Sequence, residues 1–397
     1  MRDCVIAGGG PAGMVLGYLL ARAGLRVTVL EKHADFLRDF RGDTIHPSTL
    51  TLLRELGLLE RFLRLPLTRI DALDVVVDGS RLTMVDFRTL PGPEDFLVLA
   101  PQWEFLDFLA TEAATFPGFD LRMQTTATAL LREHGRVVGV RTTGPDGDGE
   151  VRARLTVAAD GRRSALRDDM GVAPVEYGVP IDLLWFRLAK GDVSTPPTLA
   201  YLTPNGMVLT IDRGDYYQAG AVVPKGSFEQ IRATGLPSFR ERIARAVPHL
   251  RGPVDGIRDW DQVSLLSVQV NRLADWHRPG VIAIGDAAHA MSPMFGVGVN
   301  SAIQDAVALA NAITPYLRRG TAPDDALASV QRRREVPTRR MQRLQVFGHR
   351  MIARRPRSRV APRPLLALLR WNAPWVRRIT ARVIGVGFLP EHPTQRP

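Results

Sequence analysis

The chain has a single cysteine, Cys4, among 397 residues, so no disulfide closes within it and burial has to hold the fold together. Cys4 lies in an apolar run that reads as the first strand, with no histidine nearby to activate a thiol, and is assigned to core packing. Hydrophobic runs are short. None approaches the roughly 18 consecutive apolar residues that a transmembrane helix needs. The N-terminus enters the Cys4 strand directly, without the basic and apolar regions of a signal peptide, so the cytoplasm is the expected location. Lysine is nearly missing too, occurring only as Lys32, Lys190 and Lys225. Positive charge is therefore almost all arginine, and with abundant Ala, Gly and Pro this bias reads as GC-rich coding composition rather than selection for phosphate binding.

The net charge of +11 is unevenly spread. Residues 332–397 carry 17 arginines against Glu335 and Glu391, a local charge of +15, while the remainder carries −4. Within that tail, Leu365 to Leu369 and Trp371 to Phe388 interleave apolar residues with Arg370, Arg377, Arg378 and Arg382, as an amphipathic helix does. Two readings follow: helices packed on the body with arginines in solvent, or a peripheral membrane or protein contact. Nucleic acid is not expected, because no recognition motif accompanies the charge. With 45% hydrophobic residues the chain can bury a large core, divided among two or three joined domains. Oligomeric state is left open, and no internal repeat is found.

The positive signals begin at Cys4-Val5-Ile6-Ala7, a buried strand leading into Gly8-Gly9-Gly10-Pro11-Ala12-Gly13 and an apolar helix to about Ala23. In this G-x-G-x-x-G, Gly8 permits the tight turn, Gly10 lets the backbone approach a pyrophosphate, and Gly13 lets helix and strand pack closely. The helix N-terminus, with Pro11 and Ala12 in its first turn, offers unpaired N–H groups to phosphate. A second strand, Arg26 to Leu30, ends at Glu31, where a carboxylate can accept the hydroxyls of an adenosine ribose. This element alone does not separate NAD from FAD.

A second glycine element does. Gly285-Asp286-Ala287-Ala288-His289 follows the strand Val281 to Ile284, and Pro293-Met294-Phe295-Gly296-Val297-Gly298-Val299-Asn300 leads into a helix expected to start near Val299 and to carry Asp305. Asp286, at a strand end, is placed for the ribityl hydroxyls of FAD. Gly296 and Gly298 would expose N–H groups at a helix N-terminus, where they stabilise negative charge on the N1–C2=O edge of a reduced flavin.

The residues Gly285, Asp286, His289, Pro293, Gly296, Gly298, Asn300 and Asp305 resemble the GD motif of the class A flavoprotein monooxygenases, the para-hydroxybenzoate hydroxylase-like group. A third motif agrees: Leu155 to Arg167, with Asp160-Gly161, Ser164 and Arg167, resembles the family's DG motif. The resemblance spans about residues 3–345. It implies cofactor contacts at Gly8, Gly10, Pro11, Ala12, Gly13, Glu31, Arg41, Gln102, Asp160, Asp286, Gly298, Val299 and Asn300. It also implies assistance to NAD(P)H from Asp160, Gly161 and Arg167, and a catalytic loop containing Pro293, Gly296, Gly298 and Asn300. The chemistry implied is hydroxylation of an aromatic or polyketide-like small molecule: NADPH or NADH reduces FAD, molecular oxygen adds at the flavin C4a position, and the hydroperoxide transfers one oxygen atom. No metal is called for. His289 is expected to position the loop, and His46 to be a surface or helix-capping residue.

The fold expected is α/β, a Rossmann-type FAD-binding domain with an inserted antiparallel β-sheet substrate domain and a C-terminal helical tail. The FAD domain would occupy 1–72, 97–172 and 273–345, with an excursion toward the substrate domain at 73–96, the substrate sheet at 173–272 and the basic tail at 346–397. Strands are read at Leu183 to Leu188, Leu199 to Leu202, Val208 to Ile211 and Tyr216 to Val223, separated by turn signals. A helix is read at Phe228 to Ile243 and a strand at Asp261 to Val270. In the family such a sheet covers the flavin, which makes Trp185, Arg187, Tyr201, Tyr216 and Tyr217 candidate pocket residues. Substrates of the members with a thioredoxin-like third domain are not expected to transfer, since no room for that domain is expected after the tail. Epoxidation, Baeyer-Villiger insertion, reduction of isoprenoid double bonds and a non-redox FAD-binding role remain as alternatives. The Trp-x-Trp-x-Ile-Pro motif of flavin-dependent halogenases is absent.

Overall fold

The structure is a computed structural model and describes residues 1–37, 43–77, 79–190, 198–204, 206–353 and 373–394. In the N-terminal half the elements that matter for the site are β1 (Arg2–Ala7), α1 (Pro11–Arg22), β2 (Val27–Leu30), β3 (Ala72–Val77), β4 (Ser80–Asp86), α2 (Gln102–Ala114), β5 (Phe119–Arg122), β6 (Gly147–Ala158) and β7 (Ile181–Ala189). They are followed by β8 (Thr198–Thr203), β9 (Gly206–Asp212), β10 (Tyr216–Pro224), α3 (Leu236–Ala246), β11 (Ser264–Leu266), β12 (Val281–Ala283), α4 (Val297–Arg318), α5 (Asp324–Ala353) and α6 (Ala373–Ala381).

Strand β1 is apolar throughout its core because both of its faces are covered, as parallel strands require. It lies at the centre of a parallel set in the order β12-β6-β1-β2-β5. Helix α1 packs over this sheet and against α4, and buries ten of its twelve residues. Gly17 permits that approach, since a Cβ there would lie 2.8 Å from Val29 Cγ2. The antiparallel strands Thr126–Glu133 and Arg136–Gly144 extend the sheet from β6.

The second large sheet has seven strands in the order β11-β7-β10-β9-β8-β3-β4. All its pairings are antiparallel except β8 with β3, which run parallel. The strands within 173–272 are antiparallel, as expected, and the one parallel pairing joins them to β3 from the excursion. The reason is chain distance: β3 and β8 are joined by a long crossover, which no hairpin forces into opposite directions. One face of the sheet carries α3 and a cluster of Phe186, Leu188, Val208, Tyr217, Phe239 and Ile243. From the other face, Ile211 reaches a cluster containing Met291 and Val297 of the second glycine element.

Three local expectations change. The helix from Phe228 breaks after Ala233, because Gly235, at φ +85°, and Pro237 begin α3 afresh. Of the strand expected over 261–270 only Ser264–Leu266 forms, since Asp259 and Gln262 close a capping box around a 3-10 turn at Trp260–Gln262. Helix α4 starts at Val297, two residues before Val299, with the left-handed Gly296 as its N-cap. In the tail, Leu365 to Leu369, Arg370 and Trp371 lie outside the described residues. Helix α6 rests on β4, where Thr380 Oγ1 donates to Met84 O at 2.5 Å. Among the described residues no helix is long and apolar enough to cross a membrane.

Candidate active site

Three motifs far apart in sequence meet at the C-terminal ends of β1, β6 and β12, the edge at which open parallel sheets bind ligands. Their glycines differ in purpose. A Cβ on Gly8 (φ +106°) would overlap the carbonyl of Ala159, which follows β6, and one on Gly13 would overlap the carbonyl of Gly8. At Gly10 a Cβ would meet nothing within 4 Å. Gly10 is also the N-cap of α1 and provides no side-chain cap, with Pro11 as the first helical residue. The N–H groups of Ala12 and Gly13 thus begin a helix without intrahelical acceptors. Glu31, 6% exposed, accepts the N–H of Gly9 (2.9 Å) and of His33 (3.0 Å), which fixes its carboxylate beside the same turn.

Gly285 (φ +58°) lies where α1 and α4 touch: a Cβ there would sit 3.3 Å from Ala12 and 3.2 Å from Ala302. Asp305 clamps this turn. Its Oδ2 accepts Gly285 N–H (3.1 Å) and bonds His289 Nε2 (2.6 Å), while Oδ1 accepts Arg334 Nε (2.9 Å). Burial raises the pKa of Asp305, but His289 and Arg334 outweigh it and hold the carboxyl below its ordinary value. Arg334 also pairs with buried Glu391 at 3.5 Å, which ties the C-terminal segment to the turn.

Asp286 is paired with Arg162 (Nε to Oδ2, 3.0 Å), whose second nitrogen donates to Met291 O at 3.3 Å. Arg167, buried, donates to the carbonyl of Arg162 at 3.1 Å. The DG segment thus reaches the GD segment through a residue the sequence reading missed, although Arg162 directly follows Asp160-Gly161. Asp160 itself accepts Ser164 Oγ (2.5 Å) and Leu166 N–H (3.4 Å); burial pushes its pKa up against those bonds. Gly161 turns at φ +83°.

The loop from Met291 to Asn300 is gripped from two sides. On one, Thr44 Oγ1 donates to Gly296 O (2.9 Å), and a Cβ on Gly296 would overlap that hydroxyl. On the other, Gln345 accepts Ser292 N–H (3.1 Å) and donates to the carbonyls of Ser292 and Met294 (both 3.0 Å). Ser292 Oγ and His349 Nε2 share a bond of 2.6 Å. Asn300 donates to the carbonyls of Thr44 (3.0 Å) and Gly296 (3.4 Å) and accepts His46 N–H (2.9 Å) and Thr49 Oγ1 (2.7 Å). Its amide is therefore saturated by protein groups. Gly298, Val299 and Asn300 lie in the first turn of α4, which has no side-chain cap, so what this turn can offer a ligand is backbone N–H. Pro293 closes the preceding turn by accepting Gly296 N–H at 3.0 Å.

His46 is not a surface residue. It is fully buried, its Nδ1 donates to Ile384 O at 2.7 Å, and burial brings its pKa down to about 4. A helix-start position next to Pro47 signals capping, but the C-terminal segment folds over it and supplies the acceptor.

The five aromatic and basic candidates on the second sheet separate by face. Register puts Trp185, Arg187 and Tyr216 on the face of Gly220, Gln218, Leu209 and Ile211. Trp185 packs on Gly220, and Arg187 lies over the Tyr216 ring at 5.0 Å. Tyr201 and Tyr217 point the other way, into the α3 layer. Tyr217 is 1% exposed, and Tyr201 bonds His249 at 3.2 Å with its pKa raised by burial to about 12. Both are core residues of the far face, a correction that follows from the period of two along a strand. The inner face gains residues not foreseen. Arg213 pairs with Asp43 and donates to Gln218 at 3.0 Å, joining the sheet to the segment before Thr44. Burial raises the pKa of Asp43, with Arg213 and the N–H of Gln102 pulling it back. Gln102 thus begins α2 beside Asp43, and Arg41 lies outside the described residues.

A parallel sheet with a glycine-lined phosphate corner, two further motifs at the same edge and a second sheet across them define a flavin-type oxidoreductase fold. Residues 1–344 match the family model described as FAD binding domain, and the chain belongs to that family, within the class A flavoprotein monooxygenases. It is an FAD-dependent monooxygenase. The chain is 34% identical over 392 residues to 6-methylpretetramide 4-monooxygenase of Streptomyces rimosus, covering 96% of this chain and 91% of that protein. It is 30% identical over 319 residues to rifampicin monooxygenase of Streptomyces venezuelae, covering 77% and 62%. In fold it is similar to an anhydrotetracycline hydroxylase from Streptomyces rimosus, with a TM-score of 0.78 at 23% identity, covering 97% of this chain and 75% of that one. It is likewise similar to p-nitrophenol 4-monooxygenase from Pseudomonas putida, with a TM-score of 0.76 at 21% identity, covering 97% and 95%. The corner fits FAD: the one cradle glycine whose Cβ position is empty, Gly10, is the one a pyrophosphate must approach.

Proposed function

We propose that this enzyme hydroxylates an aromatic, polyketide-type small molecule, using NADPH or NADH and molecular oxygen. The observation that carries the reading is Gly285, wedged between Ala12 of α1 and Ala302 of α4, because it brings two uncapped helix N-termini to one sheet edge, as a single long dinucleotide needs. Bound FAD supplies the redox chemistry, taking two electrons from NAD(P)H and activating oxygen so that one atom enters the substrate and the other leaves as water.

The chain's own residues divide the remaining work. Gly8, Gly10, Pro11, Ala12 and Gly13 hold the pyrophosphate, Glu31 the adenosine ribose and Asp286 the ribityl chain, with Arg41 and Gln102 along the same groove. The N–H groups of Gly298, Val299 and Asn300 stabilise negative charge on the reduced ring, and Pro293 and Gly296 shape the loop that presents them. Asp160, Gly161 and Arg167 assist the approach of NAD(P)H. The sheet of residues 173–272, with β3 and β4 from the excursion, lies over the ring as a substrate domain and excludes water, and Trp185, Arg187 and Tyr216 of its inner face remain as substrate candidates. Relatives named for 6-methylpretetramide and anhydrotetracycline support a polycyclic substrate.

The test is a visible spectrum of the purified protein, then anaerobic NADPH or NADH and readmission of air with a panel of polycyclic phenols. Bleaching accelerated by one phenol, followed by a product heavier by one oxygen atom, is expected. A flavin that neither nucleotide reduces under any addition would sink the reading. Asp286→Ala should purify without FAD; if it retains a full complement, the ribityl assignment is wrong.

A further inference from the structure

Three described residues other than glycine adopt a left-handed backbone: Gln124, His134 and Phe295. The first two are polar and lie in turns between strands, where that conformation is tolerated. Phe295, at φ 68° and ψ 0°, is bulky and apolar, a genuine outlier. Gly296 follows at φ 63°, and there glycine is obligatory because of Thr44. At 295 the chain accepts the same conformation with a large ring on it.

Stability does not account for that choice. Phe295 is 38% exposed, and it belongs to none of the four apolar clusters among the described residues. Its neighbours hold it in place. Gln345 binds Met294 O, Gly348 closes on Met294 Sδ, Thr44 binds Gly296 O, and Gly296 N–H returns to Pro293 O. The strain is therefore imposed from outside, and the held backbone sets the direction in which the Cα–Cβ bond of Phe295 leaves the loop. The loop lies against the inner face of the second sheet, because Ile211 shares a cluster with Met291 and Val297 on either side of Phe295.

We propose that Phe295 is a specificity-determining residue, a rigid aromatic platform against which the flat ring system of the substrate stacks beside the N-terminus of α4. The proposal rests on the aromatic-substrate reading above. A ring with no polar group recognises extended aromatic surface through offset or edge contacts, and gains little from a single small ring. It therefore selects polycyclic over monocyclic phenols.

The experiment titrates FAD-loaded wild type, F295A, F295L, F295G and F295Y with anhydrotetracycline and with para-nitrophenol, reading the visible spectrum of the bound flavin. F295A, F295L and F295G should each weaken anhydrotetracycline binding by about tenfold while changing para-nitrophenol by less than about twofold, and F295Y should keep wild-type affinity. F295G should melt no lower than F295A, since glycine accepts the left-handed backbone. Wild-type affinity for anhydrotetracycline in F295A with full flavin occupancy overturns the role of Phe295 and leaves the substrate class standing. Loss of FAD from F295A also overturns it, by making the ring a cofactor support. If F295A does not fold, F295L decides by the same criteria. A wild type that binds no polycyclic phenol takes down the substrate class, and the platform with it.

Discussion

Gly10 and Gly13 stand three residues apart in one motif, yet opposite pressures keep them. Gly13 is glycine because a Cβ has no room against Gly8 O, whereas a Cβ on Gly10 would meet nothing within 4 Å, and in the proposed function that space is where FAD lies. Substitutions should therefore part company. Gly10→Val is expected to fold with its melting temperature within about 2 °C of the wild-type apoprotein and to bind no FAD. Gly13→Val should fail at the fold itself, giving insoluble or molten protein. Circular dichroism and flavin fluorescence on both variants check this, and a well-folded, colourless Gly13→Val would contradict it. Asn300 teaches a related lesson: with all four hydrogen-bonding positions of its amide occupied by Thr44, Gly296, His46 and Thr49, it acts as a rivet between two loops rather than as a reagent.

At the scale of elements, α5 is the unexpected organiser. Arg334, Thr338, Gln342, Gln345 and His349 follow one another at helical spacing and are all buried, a polar stripe where a core helix normally carries aliphatic residues. Four of them reach the site at three places: Arg334 the Gly285 clamp, Gln342 the carbonyls of Asn271 and Ala290, and Gln345 together with His349 the loop at 292–294. Removing Arg334 leaves two buried carboxylates, Asp305 and Glu391, without their shared cation. Arg334→Met is accordingly expected to cost about 3–5 kcal/mol in urea unfolding and to weaken FAD binding. A loss under about 1 kcal/mol would mean that the network relaxes around the gap.

Over the whole molecule, histidines buried as neutral rings set an acid limit. His46 and His349, one beneath the C-terminal segment and one against the loop, both have their pKa brought down to about 4 by burial. The unfolded chain binds those two protons near pH 6.5, so between about pH 6.5 and 4 it holds more protons than the fold, and stability falls as the pH falls. Above that window both states are neutral at these positions and their contribution is complete. The melting temperature of the FAD-loaded enzyme should be level near pH 7–8 and drop below pH 6.5. In His349→Gln the pH dependence of the unfolding free energy, read from urea titrations over the same range, should be shallower by up to about 1.4 kcal/mol per pH unit. An unchanged slope would place the acid sensitivity elsewhere.

The sequence by itself determined the nucleotide corner and the family, because strand, glycines, helix and terminal acid are local and each has one physical purpose that spacing reveals. It also located the four central strands of the second sheet within a residue or two, since alternation and turn residues are local signals as well. Tertiary structure decided what depends on neighbours distant in the chain. It put Tyr201 and Tyr217 behind the sheet and Trp185 in front, a choice of face that no single strand encodes. It turned one strand pairing parallel, and it buried His46 under a segment more than 300 residues away. It also converted the start of the arginine-rich tail into a buried polar stripe, where Arg334 is matched by Asp305 and Glu391. Charge in a sequence is assigned to solvent until its partner is known, and only the folded chain supplies the partner.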